Sequence, residues 1–269
     1  MVRTTTRIPV ALTVGLVIVA VFAVAGVAAP WLAPFDPQEQ IAGAHLLAPS
    51  GQHWLGTDEL NRDVLSRVLF GIRTSLTVMV IAVPIGAVIG VGLAMVATVN
   101  RFADTVIARG FDVLLAFPAI VLAITVTAVR GPGLSTVIVA VVLAETPVFG
   151  RIARSAATRV RASAFVESSR LHGGSEWWIV SRHIVGNITP QLIVQLSLAL
   201  SLSIFVESGM SFIGAGVRPP QPSLGSILSE AIYSWDVNVG YAVGPLVTVA
   251  ALSVGFLLIA QGYGRWSRG

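Results

Sequence analysis

"FVESSRLHGGSEWWIVSRHIV", residues 165–185, joins two apolar segments of a chain in which 55% of the residues are hydrophobic and 11% are charged. A soluble domain carries about 25% charged residues, so this balance indicates an integral membrane protein. The stretch brings together two carboxylates, two arginines, two histidines, a glycine pair and a tryptophan pair. Because Trp177, Trp178 and Ile179 are too apolar for a solvated linker, we expect the stretch to fit a partner protein.

The residue order in this stretch favours a helix–glycine–helix elbow that begins at residue 162. Residues 162–172 can form a short helix, which Gly173 and Gly174 should end. Ser175 can then cap a second helix that has Glu176 in its first turn. The alternative is an ordinary basic loop, since positive charge is enriched on one side of membrane proteins in any case.

Apolar runs predict six membrane spans. The first, residues 8–29, would be roughly 33 Å long as a helix, enough to cross a bilayer. Arg3 and Arg7 before it and small residues at its end also resemble a signal peptide. The run is longer than the usual apolar core of about 7–15 residues, which favours an uncleaved helix. The other predicted spans are residues 75–99, 106–129, 134–149, 190–214 and 237–263.

The distribution of arginine predicts the orientation. Six spans place both termini on one side, and twelve of the seventeen arginines fall on that side. The side richer in arginine is cytoplasmic by the positive-inside rule, so both termini and the elbow should be cytoplasmic. The arginines flank spans instead of forming a basic face with interleaved aromatics, so we expect no nucleic acid partner.

The segment before the second span, residues 30–74, is the longest on the opposite side. It begins "PWLAPFDP", which is too rich in proline for a regular helix. Thr57 resembles an N-cap, with Asp58 and Glu59 in the first turn and apolar residues at helical spacing from Leu60 to Leu69. This pattern predicts a short amphipathic helix on the outer surface, or equally a packed loop helix.

Three carboxylates fall within predicted spans, where an acidic residue such as Asp costs about 2.5–3.5 kcal/mol at mid-membrane. Asp112 should pair with Arg109, and Glu145 with arginines just beyond its span. Glu207 lies deeper and has two interpretations: it lines a transport path, or it hydrogen-bonds a neighbouring helix as a structural lock. Gly86 and Gly90 predict close helix packing.

Several kinds of chemistry are excluded or disfavoured. The chain has no cysteine and no lysine, so it has no thiolate metal site, P-loop lysine or Schiff base. Its four histidines are expected in loops and lack metal-site spacing, and no Gly-x-Ser-x-Gly elbow occurs. If ATP is used, another chain must bind it. Pro118 and Pro147 predict kinks.

With these residues in view, the chain resembles the permease subunits of bacterial ABC importers, in the dipeptide/oligopeptide branch. The family's cytoplasmic loop reads approximately Glu-Ala-Ala-x-x-x-Gly, and residues 167–173 read Glu-Ser-Ser-Arg-Leu-His-Gly. Three further stretches resemble the family in order: HWLGTDELNRDVLSRVLFGIRTSL (53–76), FDVLLAFPAIVLAI (111–124) and VESGMSFIGAGVRPPQPSLGSIL (206–228).

The resemblance implies an all-α integral membrane protein with six transmembrane helices and a cytoplasmic coupling-helix loop, the type I ABC importer permease fold. Residues 1–74 would hold the first transmembrane helix and an outer segment. Residues 75–269 would form the five-helix core, an ABC transmembrane type-1 domain, with the coupling loop at 151–189. The implied ATPase-coupling residues are Glu167, Ser168, Ser169, Arg170, Leu171, His172, Gly173 and Gly174.

The implied function is that of a non-catalytic permease in a bacterial inner membrane. It would form, with a second homologous permease, a path for di- or oligopeptides, or for haem or nickel chelates, delivered by an extracytoplasmic substrate-binding protein. ATP-binding subunits, separate or a fused double ATPase, would carry ATP and Mg, and this chain would bind no cofactor and no metal. The alternatives are an ATP-independent secondary transporter and a non-transporting membrane scaffold.

Overall fold

A computed structural model describes residues 9–267, so Arg3, Arg7, Ile8 and Arg268 lie outside the described residues. The described chain is helical, apart from turns, loops and one isolated bridge between Thr57 and Asp63. The α-helices are α1 Val10–Val27, α2 Ala29–Leu32, α3 Val64–Val99, α4 Arg101–Leu115, α5 Ala119–Arg130, α6 Leu134–Arg161, α7 Ala164–Leu171, α8 Glu176–Ile179, α9 Val185–Phe212, α10 Leu224–Ala231 and α11 Val239–Trp266.

Within residues 9–267, five helices are long and apolar enough to cross a membrane: α1, α3, α6, the run Glu176–Phe212 and α11. The pair α4 and α5 passes the same test together, which gives six if the pair is one span. The six predicted spans therefore each correspond to a helix or a helix pair, although their bounds differ.

The third predicted span is not one kinked helix. It is two helices, α4 and α5, bent by 91° where α4 ends near Ala116. Pro118 precedes the first residue of α5, and its ring removes a backbone donor and disfavours helical geometry at Phe117. The predicted kink at Pro118 is therefore a full break.

The amphipathic surface helix predicted from Thr57 is wrong. Thr57 lies in the isolated bridge, and its hydroxyl donates to the carbonyl of Ala44. The helix begins later, at Val64, and Asp63 caps it by accepting from the Ser66 amide at 2.8 Å. From Val64 it runs without interruption through the second span to Val99, 36 residues and about 54 Å.

Two more helices extend past their predicted ends. α6 runs through Pro147 and past residue 149 to Arg161, and α9 begins at Val185, before residue 190. A π-helical turn, Val180–Ile184, joins α8 to α9, so the second arm of the elbow is continuous with a membrane span. The elbow therefore joins the end of α6 to the start of α9. In the orientation predicted from the arginines, both of these helix ends face the cytoplasm.

Buried apolar side chains form three clusters along the bundle. One packs α10 against the starts of α3 and α11, and it defines what we call the α10 end. A middle cluster joins α3, α5, α6 and α9. The third, at what we call the elbow end, joins the last turns of α3 and α6 to the elbow.

The central contact of the bundle is the crossing of α3 and α6 at the glycines Gly86 and Gly90. A Cβ added at Gly90 would lie 2.2 Å from the carbonyl oxygen of Thr146 and 2.9 Å from the amide nitrogen of Gly150. A Cβ at Gly86 would lie 3.1 Å from Cβ of Glu145. The predicted close packing of these glycines is confirmed, because neither backbone has room for a side chain here.

We expect Gly90→Ala to destabilise the folded chain by about 1–3 kcal/mol, because the added methyl group forces α3 and α6 apart. Gly92→Ala is the matched control, since a Cβ at Gly92 has no atom within 4 Å. The difference is measured as the midpoint of thermal unfolding of each variant in detergent, with the protein that remains folded quantified by size-exclusion chromatography. Equal midpoints for Gly90→Ala and the wild type would contradict the packing described here.

Candidate functional site

The elbow has the turn that its sequence predicts. α7 ends at Leu171, and Gly173 follows with φ +84°, a conformation that suits glycine and strains other residues. The amides of Gly173 and Gly174 donate to the carbonyls of Arg170 and Ser169, at 2.9 and 3.0 Å, which closes the end of α7. Ser175 then caps α8 by accepting from the amide of Trp178 at 3.2 Å.

Two buried residues anchor the elbow to the bundle. Val166 of α7 and Ile179 of α8 are both fully buried in the cluster at the elbow end. Their neighbours include Ala94 from α3 and Ala157 from α6. The elbow therefore packs directly on the ends of two membrane helices.

Ion pairs fix the angle between the two arms. Glu176 accepts from Arg161 at 2.7 Å and from Arg170 at 3.0 Å, so it joins the end of α6, α7 and α8. Arg161 also donates to the carbonyl of Thr98, near the end of α3. The sequence did not reveal this arrangement, because Arg161, Arg170 and Glu176 come together only after the chain folds back at Gly173.

The outer surface of the elbow is apolar and exposed. Leu171 is 81% exposed, and Phe165, Trp177 and Trp178 are about half exposed. Glu167 projects from the first turn of α7, with 65% of its side chain exposed and only a 3.7 Å contact to Arg170. An exposed aromatic and aliphatic surface of this kind is typical of a protein contact and unusual for a loop in water.

The remaining elbow residues line a shallow groove at the turn. Its walls are Ser168, Ser169, His172, Gly173, Gly174, Ser175 and Trp178. His172 contacts the carbonyl of Ser168 through Nδ1 at 2.7 Å, so its ring folds back on α7. The eight residues expected to couple to an ATPase thus divide: Glu167 and Leu171 are exposed on α7, Ser169 and Arg170 face the second arm, and the others line the turn.

The prediction that His183 lies in a loop is wrong. It lies in the π-helical turn Val180–Ile184, and its ring is 5.0 Å from Trp178 and 5.7 Å from Phe165. Its Nε2 is 3.2 Å from the hydroxyl of Ser169. The ring therefore fills the inner angle of the elbow and supports both arms.

The predicted pairing with arginine holds for Asp112 and fails for Glu145. Asp112 contacts Arg109 at 3.9 Å, as expected, but Arg151 of α6 is much closer, at 2.5 Å. The expected pairing of Glu145 with nearby arginines is wrong. Glu145 is buried, and its Oε2 has no hydrogen-bond partner among the described residues.

Glu207 is completely buried between helices. It accepts from the hydroxyl of Ser75 on α3 at 2.6 Å and from that of Ser211, one turn along α9, at 3.1 Å. The hydroxyl of Ser208 adds a longer contact at 3.4 Å. The carboxylate thus connects α9 to α3 within the bundle.

A second polar cluster, which the sequence did not predict, lies at the α10 end. Arg67 contacts Asp58 at 2.5 Å and Glu230 at 2.6 Å, and Arg62 contacts the same two carboxylates. The hydroxyl of Tyr241 donates to Glu230 at 2.8 Å. This network joins the segment before α3 to α10 and to the start of α11. Asp58 and Arg62 stand four residues apart, but the contact of Arg62 with Glu230 spans 168 residues and has no local signal.

The charges in this cluster perturb one group outside the spans. Burial alone would raise the pKa of Glu230, but the hydrogen bond and positive charge of Arg67, with smaller contributions from Tyr241 and Arg62, hold it below its ordinary value. Glu230 therefore stays ionised at neutral pH, which keeps the network intact.

Two successive parts of the chain each match a known protein family. Residues 66–267 match the family described as "Binding-protein-dependent transport system inner membrane component", and residues 10–49 match the N-terminal transmembrane domain of oligopeptide transport permease C. The glutathione transport system permease protein GsiD of Pectobacterium atrosepticum is 35% identical over 255 residues, covering 94% of this chain and 84% of that protein. The dipeptide transport system permease protein DppC of Alkalihalophilus pseudofirmus is 32% identical over 250 residues, covering 93% and 82%.

The fold agrees with a solved transporter. An inward-facing structure of the MetNI methionine ABC transporter superposes with a TM-score of 0.59, at 18% identity, over 75% of this chain and 94% of that one. The predicted type I importer permease fold is therefore confirmed. With the family match over residues 66–267 and the apolar helices of the bundle, the chain belongs to the family of binding-protein-dependent transport system inner membrane components, as a multi-pass permease related to oligopeptide transport permease C.

Proposed function

We propose that this chain is one of two permeases in an ATP-driven importer of di- or oligopeptides, and that the elbow is the surface through which ATP-binding subunits drive it. The observation that carries the proposal is the elbow itself: an exposed apolar surface around Leu171, rigidly anchored by Val166 and Ile179 to the ends of α3 and α6. ATP and Mg would be held by the partner subunits, separate or fused, and an extracytoplasmic binding protein would deliver the peptide.

The charge distribution supports the orientation that this function needs. Arg151, Arg154 and Arg159 lie on the part of α6 that leads to the elbow, and Arg265 lies in the last turn of α11, near the same end. The positive-inside rule places such an end in the cytoplasm, where ATP is available. Both termini would then be cytoplasmic and the α10 end would face the binding protein.

The substrate assignment has its support in the named relatives, which are described as glutathione and dipeptide transport permeases. Both of these cargoes contain peptide bonds. We therefore propose peptides over haem or nickel chelates, which the resemblance to the wider family also allows.

Reconstitution tests the function directly. The complete transporter, made from this permease and its partner subunits, is placed in liposomes with ATP inside and labelled peptides, haem and a nickel chelate outside. We expect peptide uptake that requires ATP and the binding protein. Uptake without ATP would indicate a secondary transporter, and binding of an ATPase without any uptake would indicate a scaffold.

We further propose that Glu207 is a lock between α9 and α3, since its carboxylate is inaccessible and bonded to Ser75. Glu207→Ala leaves buried serine hydroxyls unsatisfied and should destabilise the permease by about 1–3 kcal/mol. Ser75→Ala should give a smaller loss in the same direction. Thermal unfolding and peptide uptake of both variants check this. A Glu207→Ala permease with wild-type stability but impaired uptake would instead place Glu207 in the path.

A further inference from the structure

An uncharged polar cleft lies between α6, α9 and α11, towards the elbow end of the bundle. Its volume is about 620 Å³, within the range of roughly 300–1,000 Å³ that is usual for small-molecule sites. Among the described residues that line it, none is acidic or basic, and four carry side-chain amides: Asn187, Gln191, Gln195 and Gln261.

The amides are arranged on two facing helices. Asn187, Gln191 and Gln195 occupy every fourth position of α9, so they lie along one face of that helix. Gln261 lines the cleft from α11, and apolar residues such as Ile152 and Val194 complete the walls. The result is a row of hydrogen-bonding groups in an otherwise apolar environment.

Two of these amides are unpaired. Asn187 donates to the carbonyl of His183 at 2.6 Å, and Gln191 accepts from Arg159 at 3.1 Å. Gln195 and Gln261 form no side-chain hydrogen bond with any residue in 9–267, although Gln195 is only 7% exposed. The amide atoms of Gln195 are not enclosed by protein although the residue is otherwise buried, so they open into the cleft, where an occupant can form hydrogen bonds with them.

We infer that this cleft binds the backbone of a peptide during transport, with Gln195 and Gln261 hydrogen-bonding its amide groups. A carboxamide donates and accepts at the same time, as a peptide bond does, so the two match whatever the peptide's side chains are. Because the lining is uncharged, it does not favour one sign of charge over the other. This inference rests on the proposed function and adds to it a site on this chain.

Thiol protection tests occupancy of the cleft in the complete transporter. The chain has no cysteine, so Gln195→Cys and Gln261→Cys each introduce the only thiol of this subunit, and its alkylation by a maleimide is followed on the separated subunit. We expect a tripeptide to slow alkylation of both at least threefold. Gln38→Cys, in the exposed loop after α2, should be unaffected. If the peptide does not slow alkylation of either thiol, the inference is overturned. It is also overturned if the thiols react in the isolated permease but not in the complex without peptide, because the second permease then covers the cleft.

Uptake separates this inference from the proposed function. The double variant Gln195→Leu/Gln261→Leu should take up peptide about tenfold more slowly, since each lost neutral hydrogen bond is worth roughly threefold. Gln38→Leu should transport like the wild type. If the wild-type complex transports no peptide, the proposed function fails. If the wild type transports peptide and the double variant transports equally fast, only the cleft assignment fails. The cleft assignment also fails if the double variant loses both uptake and the second permease from the purified complex, because the residues then hold the two permeases together.

Discussion

Gly173→Pro should abolish ATP-driven uptake while the permease still inserts and assembles. Gly173 has φ +84°, and proline fixes φ near −65°, so the turn between α7 and α8 cannot form. The variant also loses the Gly173 amide that donates to the carbonyl of Arg170 at 2.9 Å. Moving a two-state gate from 1:99 to 99:1 takes about 5.5 kcal/mol of differential binding, and an elbow whose arms are misplaced cannot deliver it.

The measurement is uptake and ATP hydrolysis by the reconstituted transporter. We expect uptake to fall at least a hundredfold, while the amount of permease in the membrane stays within twofold of the wild type. Gly186→Ala, at the start of α9, is the matched control, because a Cβ there meets no atom within 4 Å. Glu167→Lys, which reverses an exposed charge on α7, should also uncouple hydrolysis from uptake. Wild-type uptake by an assembled Gly173→Pro transporter would contradict the role of the elbow.

Arg67→Met should destabilise the permease by about 3 kcal/mol. Removing one partner of a buried ion pair typically costs about 3–5 kcal/mol, because the opposite charge is left buried. The lower end applies here, since Arg62 remains beside Asp58 and the Glu230 side chain is 32% exposed. The midpoint of thermal unfolding measures the loss of stability. Limited proteolysis should show faster cleavage of the segment between residue 40 and α3, because that segment detaches from α10.

Arg73→Met is the control for this change. Arg73 lies on the same helix, is exposed, and forms no ion pair with any residue that the structure describes. It should unfold like the wild type. In a double-mutant cycle, Arg67→Met and Glu230→Leu should be strongly non-additive. Additive losses, or a wild-type midpoint for Arg67→Met, would show that the network does not hold the α10 end together.

The spans and the elbow could be predicted because their causes are local. Long apolar runs can only be satisfied as helices in a membrane. The Gly173-Gly174 pair followed by Ser175 carries its own stop and start signals, and both were used as predicted. The break at Pro118 was underestimated as a kink, because the size of a bend depends on what the two halves pack against.

The errors came from contacts between distant parts of the chain. Thr57 has the residue type of an N-cap, but its hydroxyl bonds to the carbonyl of Ala44 from a distant part of the loop, and the helix begins after Asp63 instead. The sequence places Glu145 near the arginines of α6, but Arg151 is six positions on, about 240° around the helix, and it faces Asp112 of α4 instead. The cluster around Arg67 and the amide cleft likewise depend on which helix faces which, and the sequence pattern does not contain that information.

Cross-linking from the tip of the elbow tests the central claim most directly. Leu171→Cys places a thiol at a residue that is 81% exposed, in a chain with no other cysteine. A thiol-linked benzophenone at this position should, on irradiation of the complete transporter, form its adduct with the ATP-binding subunit. The same probe at Trp54→Cys, in the segment before α3, should form none with that subunit. Adducts of the Leu171→Cys probe with lipid or with the extracytoplasmic binding protein, and none with the ATPase, would contradict the claim that ATP drives this permease through its elbow.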